Sequence, residues 1–117
     1  MSKIENLYDE YRQKMVKWEC DEEEYERKKR DFKKEEDESH KVCEEERHSM
    51  EQMLEMWGDC EDSGKLRCEF YDFVMEEKKN LAKKEQELSD EYRHLVTTRE
   101  KLEAQYQEAK AKIAKEE

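Results

Sequence analysis

The chain has 117 residues, of which 50% are charged and 33% hydrophobic, and its net charge is −11. About twice the usual fraction of charged residues leaves too little apolar surface for a broad core, so a conventional globular fold is excluded and an enzyme is not expected. Both halves are acidic, with 12 basic and 19 acidic side chains in residues 1–58 and 12 and 16 in residues 59–117. Binding to nucleic acid or to an anionic membrane is therefore disfavoured.

Residue usage predicts an all-α protein. Proline is absent, and glutamate, lysine, arginine, glutamine, leucine and methionine, which lose little rotamer freedom in a helix, are abundant. The first residues, MSKIENLYDEYRQK, contain no apolar signal region, and no run approaches membrane-spanning length. We therefore expect a cytoplasmic protein without membrane insertion, and any export together with a partner would follow a Sec-independent route.

The first predicted helix covers about residues 3–57. Most of its apolar residues fit one heptad frame, and these are Ile4, Tyr8, Tyr11, Met15, Trp18, Tyr25, Phe32, Cys43, Met50, Met53 and Trp57. Five others lie beside this seam and widen the apolar stripe, namely Leu7, Val16, Val42, Leu54 and Met56. Five polar residues occupy positions of the same frame, namely Glu22, Lys29, Glu36, Ser39 and Glu46. Polar residues at such positions weaken a two-helix contact but can fix its register.

The heptad frame lapses once, in residues 58–64, and both glycines of the chain lie there. Turn-forming and acidic residues concentrate in this segment, so we predict a bend formed by Gly58, Asp59, Ser63 and Gly64. Asp59 or Ser63 would accept backbone N–H bonds at the start of the next helix. The rival is one continuous helix in a parallel coiled coil, in which each glycine would cost about 1 kcal/mol.

The second predicted helix covers about residues 62–115. Its apolar seam comprises Tyr71, Val74, Leu81, Leu88, Tyr92, Leu95, Leu102, Tyr106, Ala109 and Ile113. Three further apolar residues, Leu66, Phe70 and Phe73, are displaced from that seam, which indicates a local stutter or a second apolar face near the bend.

Together these elements predict a single antiparallel two-helix hairpin spanning residues 1–117, with the bend near residues 57–64. Two registers are compatible with the frame. A fold at Gly58–Asp59 sets Tyr11 opposite Tyr106, whereas a fold one heptad later sets Phe32 opposite Tyr92. The predicted seam of the hairpin is Tyr11, Met15, Trp18, Tyr25, Phe32, Leu81, Leu88, Tyr92, Leu95, Leu102 and Tyr106.

No catalytic, metal or cofactor site is predicted, because two helices offer no water-excluding pocket in which pKa values would shift. The four cysteines, Cys20, Cys43, Cys60 and Cys68, lack the C-x-x-C spacing of a zinc site. Free thiols are therefore expected, with a Cys60–Cys68 disulfide as a minor alternative.

Protein binding is the more informative prediction. One hairpin covers a single stripe of each helix, so the apolar residues around the bend are predicted to bind a partner. These partner-binding residues are Leu54, Trp57, Leu66, Phe70 and Phe73. Because the seam also carries charged residues, we expect the isolated hairpin to be marginal and to be stabilised by a helical partner or, alone, as a homodimer.

The Trp57-Gly58 pair at the midpoint of a proline-free helical hairpin resembles the WXG100 family. More specifically, M-W-G-D at the bend, followed by Phe70, Tyr71 and Phe73, is similar to the α-helical targeting proteins that accompany LXG-domain toxins in type VIIb secretion. The family motif has one residue between Trp and Gly, whereas here they are adjacent. The C-terminal export signal, an aromatic residue followed four residues later by an acidic residue, is not found in the tail. Four residues after Tyr92 the chain has Val96 in place of an acid.

The resemblance implies a non-catalytic adaptor that binds the helical N-terminal domain of an LXG-type toxin, with a second small helical protein carrying the export signal. The alternative is a structural coiled-coil rod or tethering segment of a cytoskeletal or scaffold protein. An adjacent toxin gene would distinguish the first from the second.

Overall fold

The computed structural model describes residues 2–116 and contains two α-helices, α1 (Lys3–Trp57) and α2 (Glu61–Glu116). Only Gly58, Asp59 and Cys60 separate them, and no strand occurs among the described residues. The prediction of an all-α helical hairpin is confirmed, and the alternative of one continuous helix is wrong.

Helix α1 begins with a side-chain cap. The backbone N–H of Glu5 donates a hydrogen bond to Oγ of Ser2 at 3.2 Å. Ser followed three residues later by Glu is the sequence signature of a capping box, which satisfies amide groups that lack a partner in the first turn. The start of α1 is therefore specified locally, before any contact with α2.

Contacts divide the hairpin into two units. In the first, which we call the terminal unit, the residues of α1 up to Lys29 pair with the residues of α2 from Leu88 onward. In the second, the bend unit, Arg30–Glu87 form the remainder of both helices and the connection between them. Each unit is described by itself below.

The terminal unit holds a small apolar core. Trp18, Tyr25 and Leu95 are buried, with Met15, Leu88 and Leu102 packed against them. Indole Nε1 of Trp18 donates a hydrogen bond to the backbone carbonyl of Leu95 at 2.8 Å. Because a buried indole N–H needs an acceptor, this bond fixes how Trp18 lies across α2.

Two ring pairs establish the register of the terminal unit. The rings of Tyr11 and Tyr106 stack with centroids 4.3 Å apart, and those of Tyr25 and Tyr92 lie 5.8 Å apart. Both pairs are those expected for a fold at Gly58–Asp59, so the register that sets Phe32 on Tyr92 is wrong. Tyr92 differs from its predicted burial, because it contacts Tyr25 at the edge of the seam and stays 54% exposed.

Charged side chains flank the terminal seam. Lys3 pairs with Glu116 and Lys28 with Glu91, each at 3.3 Å. The guanidinium of Arg99 lies over the ring of Trp18, 5.2 Å from its centroid. Exposed ion pairs contribute little to stability, so these contacts favour the observed register rather than provide most of the folding energy.

The seam of the bend unit keeps the predicted phase on α1 as far as Met50 but differs from the prediction on α2. Its buried and half-buried residues are Phe32, Ser39, Val42, Cys43, Met50 and Leu54 on α1, and Ser63, Leu66, Phe70, Phe73, Val74, Glu77 and Leu81 on α2. Tyr71, which the heptad frame placed in the seam, is exposed. Leu66, Phe70 and Phe73 are half-buried and therefore belong to the contact between the helices.

The period of α2 explains this shift. From Ser63 to Leu81 the seam advances 18 residues, which is five turns at the 3.6 residues per turn of a straight helix. A heptad frame assumes 3.5 and drifts by about 20° per heptad relative to such a helix. The phenylalanines Phe70 and Phe73 therefore replace Tyr71 in the contact.

Polar groups inside the bend-unit seam are satisfied. The buried hydroxyl of Ser39 donates a hydrogen bond to Oε2 of Glu77 at 2.7 Å. Beside the seam, the exposed Glu35 and Lys84 form an ion pair across the helices. Such paired groups cost little, because buried polar atoms are expensive only when they lack partners.

The connection is shorter than the predicted bend of residues 58–64. Gly58 adopts φ +68°, a left-handed conformation that glycine enters without a Cβ penalty, and its N–H bonds the carbonyl of Leu54 at 2.9 Å. Ser63 and Gly64, predicted in the bend, lie in the first turn of α2. Ser63 is fully buried and its hydroxyl donates to the carbonyl of Gly58 at 2.5 Å, so it ties α2 back to the connection and does not act as the predicted acceptor.

The two glycines are expected to respond oppositely to alanine. Gly58→Ala places a Cβ at φ +68° and should lower the free energy of unfolding by about 1 kcal/mol. Gly64→Ala adds a Cβ with no atom within 4 Å inside a helix and should raise it by up to about 1 kcal/mol. Urea unfolding followed by circular dichroism measures both. Equal destabilisation by the two variants would contradict a start of α2 at Glu61.

Candidate protein-binding face

The end of α1 next to the connection carries large apolar side chains in solvent. Met53, Met56 and Trp57 are 44%, 81% and 48% exposed. The register explains why, because Met53 lies opposite Gly64, which has no side chain, and Trp57 is opposite Cys60 in the short connection. The residues level with Met53 and Trp57 are therefore too small to cover them.

An open groove of about 580 Å³ lies between the helices in the bend unit. Val42, Phe73 and Leu81 provide its apolar lining, and its polar lining consists of Lys34, Glu35, Glu38, Ser39, Glu77, Asn80 and Lys84. Since Val42 and Phe73 line the same groove, they identify which side of α1 and which side of α2 face the same way.

Helical spacing extends this side toward the bend. Met53 and Met56 follow Val42 by 11 and 14 residues, about three and four turns, so they continue its stripe on α1. Leu66 precedes Phe73 by 7 residues, about two turns, and continues the stripe on α2. We call the surface formed by Val42, Met53, Met56, Leu66 and Phe73 the bend face.

Two other exposed apolar residues of the bend unit lie elsewhere. Tyr71 is 63% and Met75 46% exposed. Each is two residues from Phe73, which places it roughly 160° around α2. They therefore do not belong to the bend face, and they provide matched controls for substitutions on it.

The predicted partner-binding residues have different surroundings. Trp57 is half exposed at the last position of α1, whereas Leu54, Leu66, Phe70 and Phe73 are half-buried in the seam of the bend unit. Met56 was predicted to lie beside the seam but not among the partner-binding residues, and Met53 was predicted in the seam. Their exposure could have been inferred from the register, which sets Met53 against a glycine.

The titratable groups of the bend show one local perturbation near the connection. A side-chain hydrogen bond between Cys60 and Ser63, together with backbone N–H groups of Ser63 and Asp62, lowers the pKa of the exposed Cys60 thiol. These donors stabilise the thiolate at the start of α2. All four cysteines are free, and residues 2–116 contain no group of three or more His, Cys, Asp or Glu that could hold a metal ion.

Comparisons with models of protein families, with curated proteins and with solved structures gave no match. In the described part of the chain neither helix is long and apolar enough to cross a membrane.

Proposed function

We propose that this protein is a non-catalytic adaptor that binds a helical partner through the bend face. The observation that carries the proposal is the 81% exposure of Met56, which lies near Met53 on the helical stripe that continues from Val42 in the half-buried apolar lining of the groove. Full burial of a methionine side chain contributes about 1.5–3 kcal/mol. Flexible, unbranched methionines suit a surface that adapts to another helix.

A more specific proposal concerns the identity of the partner. The Trp57-Gly58 pair supports the proposal that the partner is an LXG-type toxin. The adaptor would bind the helical N-terminal domain of this toxin for type VII secretion. In the hairpin this pair ends α1, with Trp57 half exposed and Gly58 in the left-handed conformation. The tryptophan is therefore accessible to a partner at the bend. In this proposal a second small helical protein supplies the export signal.

Co-expression with the N-terminal domain of a toxin from the same gene neighbourhood tests the proposal. Met53→Gln combined with Met56→Gln should weaken the complex at least about tenfold, because each buried methionine contributes more than 1 kcal/mol. Glutamine keeps the length and the helix propensity of methionine. Affinity is measured by titration of the purified components.

Met75→Gln is the matched control, since Met75 is as exposed as Met53 but lies on the other side of α2. This control should leave both affinity and helix content unchanged. The proposal is contradicted if no complex forms, or if the control weakens the complex as much as the paired substitution on the bend face.

A further inference from the structure

The apolar bend face has an acidic margin. Glu45 and Glu46 follow Val42 by three and four residues on α1, so they flank the same stripe. On α2, Asp62 lies 11 residues before Phe73, Glu69 lies four residues before it, and Glu76 lies three residues after it. These offsets correspond to about three turns, one turn and one turn, so the three acids lie on the same side of α2 as Phe73. All five are exposed. We call this set the acidic margin.

The acidic margin is not neutralised by the hairpin. Within residues 2–116 none of its five carboxylates takes part in an ion pair. Lys65, the nearby cation of α2, lies 4.0 Å from Glu61, which is outside the set. By contrast Glu44, on another side of α1, binds Arg47 at 2.7 Å, and this contact lowers its pKa. The negative charge around the bend face is therefore available to a partner.

This charge discriminates between occupants. An anionic membrane or a nucleic acid would be repelled by carboxylates around the apolar stripe. A second copy of the chain would bring its own acidic margin against the first, and like charges across an interface cost affinity. A helix with an apolar stripe between lysine or arginine residues would instead bury the methionines and place cations beside the carboxylates.

We infer that the bend face binds a basic amphipathic helix, with apolar side chains seated on Met53, Met56 and the Val42–Phe73 groove and with cations beside the acidic margin. This inference rests on the proposed function and specifies the chemistry of its partner.

The test uses the full chain and two synthetic peptides of three heptads, about 21 residues each, with leucine at the a and d positions. One peptide carries lysine at e and g, and the other carries glutamate there. Fluorescence anisotropy should show at least roughly tenfold tighter binding of the lysine peptide. Its affinity should fall as salt concentration rises.

Substitutions locate the site. Met53→Gln with Met56→Gln should abolish binding of the lysine peptide, and Glu69→Gln with Glu76→Gln should weaken it several-fold more than Glu19→Gln with Glu26→Gln. The latter pair removes the same charge from exposed positions of the terminal unit. Circular dichroism of each variant verifies that the helices are retained.

The inference is overturned if the two peptides bind equally, if the glutamate peptide or self-association is preferred, or if the methionine variant still binds the lysine peptide. Failure of both peptides to bind also overturns it. If both peptides fail to bind but the toxin complex depends on Met53 and Met56, the adaptor function is supported and only the basic helix is rejected as the ligand. Loss of the toxin complex rejects the adaptor function itself.

Discussion

Replacing Trp18 by alanine is expected to lower the free energy of unfolding by about 3–5 kcal/mol, the largest effect of any single substitution in the hairpin. Trp18 is 8% exposed, packs in the core with Tyr25 and Leu95, and donates its indole N–H to the Leu95 carbonyl. Alanine removes both the apolar contact and the hydrogen bond. Urea unfolding monitored by circular dichroism measures the change.

Two further variants keep this expectation testable if Trp18→Ala fails to fold. Trp18→Phe retains most of the apolar area and loses the hydrogen bond, so it should cost about 1–2 kcal/mol. Trp57→Ala removes the same side chain from a half-exposed position at the end of α1, and it should cost less than about 1 kcal/mol. A larger loss for Trp57 than for Trp18 would contradict the assignment of the core.

Phe73→Ala is expected to destabilise the hairpin by about 2 kcal/mol, somewhat less than the 3–5 kcal/mol of a fully buried phenylalanine. Phe73 is half-buried and lines the groove with Val42, so its removal opens the contact between the helices of the bend unit. Thermal and urea unfolding of the purified protein, without a partner, measure the loss.

Tyr71→Ala is the matched control for Phe73. Tyr71 is an aromatic residue two positions away on the same helix, and it is 63% exposed. Its substitution should change stability by no more than about 0.5 kcal/mol. A larger loss of stability for Tyr71→Ala than for Phe73→Ala would contradict the observed seam. It would indicate that the residues of the heptad frame form the contact with α1.

Much of the fold could be predicted from the sequence because the two apolar stripes have equal length and meet when the chain folds at Gly58–Asp59. The pairs Tyr11–Tyr106 and Tyr25–Tyr92 follow directly from that register. The competing register, one heptad away, satisfies the same frame. Sequence periodicity alone could not separate them, because a shift by a whole heptad leaves the pattern unchanged.

The details of the bend unit were less accessible. A repeat of 3.5 residues and one of 3.6 differ little over two turns, yet they decide whether Tyr71 or Phe70 and Phe73 contact α1. Ser63 and Gly64 are typical of turns, but three residues suffice for the connection and both are helical. The proposed site accordingly adds the exposed Met53 and Met56 to the predicted Leu66 and Phe73.

The two tryptophans have different surroundings, so each can serve as a separate intrinsic fluorescence probe. Trp18, sealed within the terminal unit, should emit at short wavelength and shift to the red when that unit melts. Trp57, at the solvent-facing end of α1 in the bend unit, should emit farther to the red from the outset and shift to the blue when a ligand shields it. Variants that retain a single indole would thus report unfolding and recognition independently, without an attached dye.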